Sequence, residues 1–128
     1  MTLQLSVAVR NARLDSIETT IGASAKAKIY SAAAVLLCDI ALPADWMNAA
    51  SSGAKTKAGT WQGVGTAGAA LDTDATYFTI TDTAGVNVGI AGSITGIGGG
   101  GDMILDNVNI SETQIVTVTQ FTLTDGNA

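Results

Sequence analysis

Residues 113–124, TQIVTVTQFTLT, are the longest strand-like stretch of the chain and decide its fold class. Apolar residues and threonines alternate there with the period of two that a β-strand requires. The phase changes midway, because Val116 and Val118 share one face whereas Phe121 and Leu123 share the other. A β-bulge, or a strand that leaves one sheet for another, would produce this change. We therefore predict a strand with an irregularity at its centre.

Shorter strand patterns precede it. In residues 75–82, ATYFTITD, Phe78 and Ile80 fall on one face, and residues 83–85 predict a hairpin turn. The other predicted strands are 26–30, 34–42, 55–63, 86–94 and 102–107, and residues 64–74 are predicted to form a loop. Seven or eight short strands predict a mainly β protein, either a β-sandwich or a jelly-roll-like barrel.

One helix is predicted before the strands, over residues 6–22. Ser6 is a suitable N-cap, and Gly22 lies where a left-handed residue commonly ends a helix. The apolar residues that recur at helical spacing are Val7, Leu14, Ile17 and Ile21. The prediction is therefore a β fold with a single N-terminal helix.

A length of 128 residues predicts one domain, residues 1–128. We assign the N-terminal arm and helix to residues 1–22 and the β-sandwich or barrel to residues 25–124. The chain has no histidine and one cysteine, Cys38, in an apolar strand. Histidine-based catalytic triads, imidazole metal sites and an internal disulfide are thereby excluded. We expect no enzyme activity and no cofactor.

Charge is distributed unevenly along the chain. The first 57 residues hold six basic and four acidic residues, and the remainder holds seven acidic residues and no basic one. This distribution predicts two electrostatically different faces and argues against a nucleic-acid partner, which needs many cations. No apolar run approaches the roughly 18 to 20 residues of a membrane span. Residues 1–13 lack the order of a signal peptide, so we expect synthesis in the cytoplasm and no membrane partner.

A glycine run follows the predicted hairpin, in GIGGGGDMILDN at residues 96–107. Gly96, Gly98 and Gly101 match the dinucleotide pattern G-x-G-x-x-G, which carries phosphate only when a helix follows it. The DMILDN segment predicts a strand instead. We therefore predict the tip of a hairpin, whose bare backbone can bend or press against a neighbouring subunit.

Four acidic residues lie in predicted loops or at strand ends, namely Asp72, Asp74, Asp102 and Asp106. The calcium-loop pattern of an EF-hand is absent from the sequence. No metal site is predicted, although calcium binding by these loops is left open.

Two groups of residues have two interpretations each. Trp46, Met47 and Trp61 are typical both of a core and of a protein interface, where large aromatic and methionine side chains are enriched. Arg10 and Arg13 lie three apart and share one helix face, either as a solvated polar face or as a contact for an acidic partner.

Several segments together resemble a group of small bacteriophage and prophage proteins. These are LSVAVRNARLDSIET, KIYSAAA, LPADWMNAASSGAKTKAGTW, YFTITDTAG and VTVTQFTLTDGNA. The resemblance implies a virion structural protein that cements or decorates an icosahedral capsid, with the major capsid protein and a second copy of itself as partners. It implies no catalytic residues.

We expect the contacts to come from the N-terminal arm, the helix and the tryptophans. The candidate interface residues are Thr2, Leu3, Leu5, Arg10, Arg13, Trp46, Met47 and Trp61. The alternatives are a phage tail or neck component and a carbohydrate-binding β-sandwich for host attachment, the latter requiring exposed aromatic residues over a groove.

Overall fold

A computed structural model describes residues 3–70 and 74–125 of the chain. That part of the chain contains one α-helix, one short 3-10 helix and eight strands. Their bounds are α1 Val7–Ile21, β1 Lys26–Ser31, β2 Leu36–Ala41, β3 Ala54–Thr56, β4 Trp61–Val64, the 3-10 helix Ala67–Ala70, β5 Ala75–Thr81, β6 Val88–Gly96, β7 Met103–Leu105 and β8 Ile115–Thr124. The prediction of a mainly β protein with one N-terminal helix is confirmed.

The strands form one curled sheet in the order β2-β1-β5-β6-β7-β8-β3, and β4 also pairs with β8. The chain beyond β4 returns to β2 through a bridge between Cys38 and Gly65 and a hydrogen bond of 2.8 Å from Thr66 N to Leu37 O. We call these contacts, between residues 37–38 and 65–66, the closed seam. They make the sheet curl into a half-barrel.

The longest strand, β8, is irregular at its centre, as predicted. Its register against β7 shifts so that Thr119 has no counterpart, which is a β-bulge. The extra residue resets the alternation, and Val116, Val118 and Phe121 are therefore all buried. The change of phase in the sequence thus marks a bulge within one strand that faces the core along most of its length.

Three predicted segments differ from the structure. The predicted strand 55–63 is two strands, because β3 pairs with residues 122–124 and β4 with residues 115–118 of β8. In β2 the adjacent Leu37 and Cys38 are both buried, since the register against β1 shifts there by one residue. The predicted loop contains the 3-10 helix, and its residues 71–73 lie outside the described part of the chain.

The prediction of a hairpin at the glycine run is wrong. β7 runs parallel to β6, with Ile94 opposite Met103, after a return of only residues 97–102. Parallel neighbours ordinarily need a crossover of a dozen or more residues. The short return is possible because Gly98 and Gly100 adopt positive φ angles of 85° and 77°, where side chains are strained. A side chain at Gly101 would collide with the backbone of Thr95, its Cβ lying 2.9 Å from the Thr95 nitrogen.

The predicted helix caps are confirmed. The Ser6 hydroxyl accepts a hydrogen bond from Val9 N at 3.2 Å, and Gly22 N, with φ at 99°, donates to Glu18 O at 2.9 Å. Leu14 is the buried residue of the predicted apolar face, whereas Val7 is 46% exposed.

The core beneath the sheet is an aromatic cluster. Trp61 lies between Trp46 and Phe121, with ring centroids 6.0 and 5.3 Å away, and Phe121 meets Phe78 edge to face at 5.5 Å. Large rings in such tilted contacts contribute more than their buried area alone. The cluster therefore anchors β4, β5 and β8 to one another.

Candidate interaction surfaces

One polar stripe of α1 binds the segment between β2 and β3. Asn11, Asp15 and Glu18 recur at helical spacing and accept hydrogen bonds from the backbone nitrogens of Gly53, Ala50 and Met47, at 2.9, 2.9 and 3.0 Å. The three acceptors are spread over about two turns of α1, so the hydrogen bonds hold this part of the helix to the segment. We call this set of contacts the helix latch.

Lys55 lies at the centre of the helix latch. Its side chain is 2% exposed, and the ammonium donates to Asp15 Oδ1 at 2.7 Å, Glu18 Oε1 at 3.0 Å and Asn48 O at 2.8 Å. An ammonium group has three donors, so all three are satisfied. A buried charge with this many partners is tolerated, whereas an unpaired one is strongly destabilising.

The same contacts change the pKa values of the ion pair. The hydrogen bond from Lys55, followed by the one from Ala50 N, lowers the pKa of Asp15 below its ordinary value. Burial alone would lower the pKa of Lys55, but hydrogen bonds to Asp15 and Glu18 outweigh it and raise that pKa. Both groups therefore stay charged across neutral pH.

The two arginines predicted to meet an acidic partner meet an acid of their own chain. Arg10 Nη1 donates to Asp125 O at 3.2 Å, and Arg13 Nε lies 3.0 Å from Asp125 Oδ2. The Arg13 side chain is nevertheless 59% exposed. Arg10 thus helps to join α1 to the end of β8, and Arg13 joins them while still presenting charge to solvent.

Trp46, Met47 and Trp61 belong to the core, which corrects their assignment as contact residues. They are 0%, 1% and 0% exposed. The indole nitrogens donate inside the chain, from Trp46 to Gly22 O and from Trp61 to Ala58 O, both at 3.0 Å. The carbohydrate-binding alternative thereby loses the exposed tryptophans it requires. The remaining close aromatic pair, Tyr30 and Tyr77, is stacked ring on ring at 5.1 Å.

The N-terminal arm carries exposed apolar surface. Leu3 is 76% exposed, and Val7 and Val9 at the start of α1 are each 46% exposed. We call these three residues the N-terminal apolar patch. Leu5 is half-buried, and Thr2 lies outside the described residues. The three residues lie within seven positions of the chain, and Val7 and Val9, two positions apart on the helix, point to different sides of it.

Other exposed apolar residues lie at strand ends. Val64 and Ile115 face each other across β4 and β8 and are 52% and 60% exposed. Val86 and Val88 lie at the hairpin between β5 and β6, near the far end of α1, where Ile21 packs over Gly89.

The glycine return borders a cleft of about 620 Å³. The cleft is lined by Ile97, Gly98, Gly100, Gly101, Ile104, Thr119 and Gln120. Its lining includes no charged side chain, and a strand follows the glycines. The cleft therefore lacks the cations and helix N-terminus that a nucleotide phosphate would need.

The loop carboxylates hold the chain's own backbone and side chains. Asp102 Oδ2 accepts from Ser93 N at 2.9 Å, which is the first cause of its lowered pKa, and Asp74 Oδ1 accepts from Asn109 Nδ2 at 3.0 Å. Asp106 Oδ1 accepts from Thr117 N at 3.1 Å, whereas Asp72 lies outside the described residues. Within residues 3–70 and 74–125, no three His, Cys, Asp or Glu side chains converge as metal ligands.

The helix latch is the feature that sequence reasoning missed. The polar residues at 11, 15 and 18 share a helix face, a spacing visible in the sequence, but the sequence analysis assigns no partner to that face. The predicted strand 55–63 includes Lys55 but does not predict its burial. A lysine between alternating strand residues, together with carboxylates three apart on a helix, is the signal that could have identified the latch.

No protein-family model, curated protein or solved structure matches the chain. In the part of the chain that the structure describes, no helix has the length and apolar character needed to cross a membrane.

Proposed function

We propose that the protein is a structural component of a bacteriophage virion, a cement or decoration protein on the capsid exterior. The sequence resemblance described above supplies the class. The observation that carries the proposal is the N-terminal apolar patch, whose Leu3 is 76% exposed and whose valines begin a helix that Lys55 holds to the sheet. An exposed apolar surface on a helix that is fixed to the sheet is suited to bridging neighbouring subunits.

The proposed mechanism is mechanical rather than catalytic. The apolar patch and Arg13 contact adjacent major capsid protein subunits, and buried apolar area contributes about 25 cal/mol per Å². Many copies on one shell multiply a modest affinity at each site. The curled sheet belongs to a β-sandwich or jelly-roll-like barrel in this proposal, and its rigidity resists deformation of the shell. In this proposal the protein is made in the host cytoplasm, associates with itself, and needs no cofactor, nucleic acid or membrane.

Averaged images of purified particles test the location. We expect density for the protein on the outer face of the capsid, and a Leu3→Asp variant should bind particles at least about tenfold more weakly, since a charge replaces buried apolar surface. Val86→Asp is the matched control, because Val86 is 73% exposed near the other end of α1. Recovery of the protein only in tail or neck fractions would contradict the capsid proposal and support that alternative.

A further inference from the structure

The helix α1 contributes little to the core of the half-barrel. Of its fifteen residues, Leu14 is the buried one, and Leu14 does not belong to the cluster of buried apolar residues that the described chain forms beneath the sheet. That cluster runs from Ala25, after the helix, to Phe121. Burial of apolar surface is the main force that makes two elements fold as one unit. The half-barrel therefore has a core of its own.

Polar contacts hold α1 to the half-barrel instead. The helix latch joins it to residues 47–55 through three hydrogen bonds from backbone nitrogens and through the ammonium of Lys55. Nearer the start of the helix, Arg10 and Arg13 contact Asp125. Such groups exchange their protein partners for water when a helix leaves, so each contact contributes only about 1 kcal/mol net, and more where a charge takes part.

The C-terminal end of α1 is attached differently. Ile21 packs against the core and over Gly89, whose lack of a side chain makes room for it. Gly22 O accepts a hydrogen bond from Trp46 Nε1 at 3.0 Å. Gly22 and Ser24 have positive φ angles of 99° and 54°, so the chain already turns sharply there before β1 begins. This end is suited to act as a pivot for the rest of the helix.

We propose that α1 is a detachable strap, in which residues 7–20 leave the half-barrel and unfold while the described strands stay paired. A helix of this length is marginal in water once it loses its tertiary contacts, so detachment exposes its backbone. Asp15 and Glu18 leave with the strap, which opens the Lys55 ammonium to water. Hydration then replaces the ion pair, and no unpaired charge stays buried. The cost of opening therefore stays below that of global unfolding.

The strap carries the N-terminal apolar patch. Fully extended, residues 3–21 span at most about 65 Å from the pivot. In the proposed capsid function, a detached strap can reach a neighbouring subunit, and docking then fixes the contact. That consequence rests on the proposed function. Detachment itself is measured on the purified protein, so its failure is distinguishable from a failure to find the protein on capsids.

Native-state hydrogen exchange of the wild-type protein, followed by NMR, tests the proposal. The reference amides are those of β5, which is paired on both edges, with β1 and with β6. Relative to intrinsic rates, we expect the amides of residues 10–20 to exchange at least about a hundredfold faster than those of β5. Their exchange should also depend less on urea, because detachment exposes less surface than global unfolding. Equal exchange free energies and urea dependences in α1 and β5 overturn the proposal, because helix and sheet then unfold as one unit.

Two variants test whether the helix latch sets the cost of opening. Lys55→Met removes the shared partner of Asp15 and Glu18, and it should speed exchange of the α1 amides at least about tenfold further. Lys57→Met, which removes an ammonium that donates to Gly59 O, should leave α1 exchange within about twofold of wild type. Unchanged α1 exchange in Lys55→Met, or equal acceleration in both variants, overturns the assignment of the latch.

Limited digestion with trypsin gives a second measurement of detachment. Arg13 lies within α1, whereas Lys26 and Lys28 lie in β1. Proteolytic cleavage needs a locally unfolded segment, so we expect cleavage after Arg13 to precede cleavage after either lysine of β1 at least about tenfold in rate. Mass spectrometry of the fragments measures the order. Cleavage after Arg13 and in β1 at equal rates overturns the proposal.

Discussion

The curled sheet has two junctions that differ in how their strands are paired, the closed seam and the open seam. At the closed seam, small residues let the chain after β4 lie directly on β2. A Cβ at Gly63 would lie 2.8 Å from Ile40 Cγ1 and 3.0 Å from Cys38 Sγ, both on β2. At the open seam, between residues 90–92 of β6 and 122–124 of β8, the three residues of β7 end before the flanking strands do, and no strand of the described residues 3–70 and 74–125 lies between them.

The comparison shows that the length of a strand, rather than the hydrophobicity of the residues beneath it, determines where neighbouring strands of this sheet are paired. Both seams cover buried apolar residues, Leu37 and Cys38 at one and Phe78 and Phe121 at the other. At the closed seam the backbone is paired as well, since Thr66 N donates to Leu37 O at 2.8 Å. Paired backbone groups over buried residues stabilise the fold at that junction.

Opening the closed seam should have the largest effect. Gly65→Ala places a Cβ against the Ser111 carbonyl and 3.1 Å from Ile110 Cγ2, so the backbone of Gly65 must shift, and this shift disturbs its bridge to Cys38 at the closed seam. We expect the free energy of unfolding to fall by about 3 kcal/mol, as overpacking against backbone does. Urea unfolding followed by tryptophan fluorescence measures it, since both tryptophans are buried.

Gly96→Ala is the control for that variant, because the nearest atom to its Cβ is Val108 Cγ1 at 4.0 Å. It should change the unfolding free energy by less than about 1 kcal/mol. Equal losses in the two variants would show that the seam contact does not limit stability.

Removing the cation of the helix latch should have the next largest effect. Lys55→Met leaves Asp15 and Glu18 without their shared partner, and we expect a loss of about 2 kcal/mol, below the full cost of a buried pair because Asp15 is 48% exposed. Thermal and urea unfolding measure it. Lys57→Met, which removes a hydrogen bond to Gly59 O and the contact of the ammonium with the Trp61 ring at 6.0 Å, should cost less than about 1 kcal/mol.

Acid should weaken the latch by a smaller amount. The pKa of Asp15 is lower in the folded protein than in the unfolded chain, so its contribution is present above the unfolded value of about 3.9 and is lost as the pH falls through the folded value. The Asp15→Asn variant should therefore differ from wild type at pH 7 and converge with it in acid. A difference that stays constant down to pH 2, measured by urea unfolding, would contradict this cause.

Alkali should weaken the helix latch as well, by removing the charge of Lys55. The pKa of Lys55 is raised by folding, so its contribution is complete below the unfolded value of about 10.4 and is lost as the pH rises through the folded value. Unfolding of wild type and Lys55→Met should converge above that pH.

A change at the open seam should have the smallest effect on the monomer. Alternation from Ser93, whose N–H donates to Asp102, directs the Ala91 N–H away from β5, so for Ala91→Pro we expect the free energy of unfolding to fall by less than about 1 kcal/mol. Urea unfolding measures it. A loss as large as that of Gly65→Ala would mean that this edge is already paired within the monomer.

Local patterns in the sequence were sufficient for several elements. Ser6 and Gly22 mark the ends of α1 because capping depends on neighbouring backbone groups alone. The change of phase between Val118 and Phe121 predicts an irregularity in β8, because alternation reports which face a residue shares, and the structure shows that this irregularity is a bulge.

Other features depend on residues distant in sequence and were predicted wrongly or missed. The glycine run is equally compatible with a hairpin and with the parallel return found, since glycine permits both. The burial of Trp46 and Trp61 follows from their contact with each other and from the contact of Trp61 with Phe121, sixty residues further along the chain. For the interface candidates, the sequence indicates residue type but not exposure.

The sequence by itself determined the mainly β class, the single capped helix, the bulged last strand and the separation of charge, because each follows from composition or from spacing along the chain. Only the tertiary structure decided that Lys55 is a buried partner of two helix carboxylates, that one seam closes and that the other stays open. These depend on which strand edges meet, and pairing between distant strands is set by register and packing rather than by local pattern.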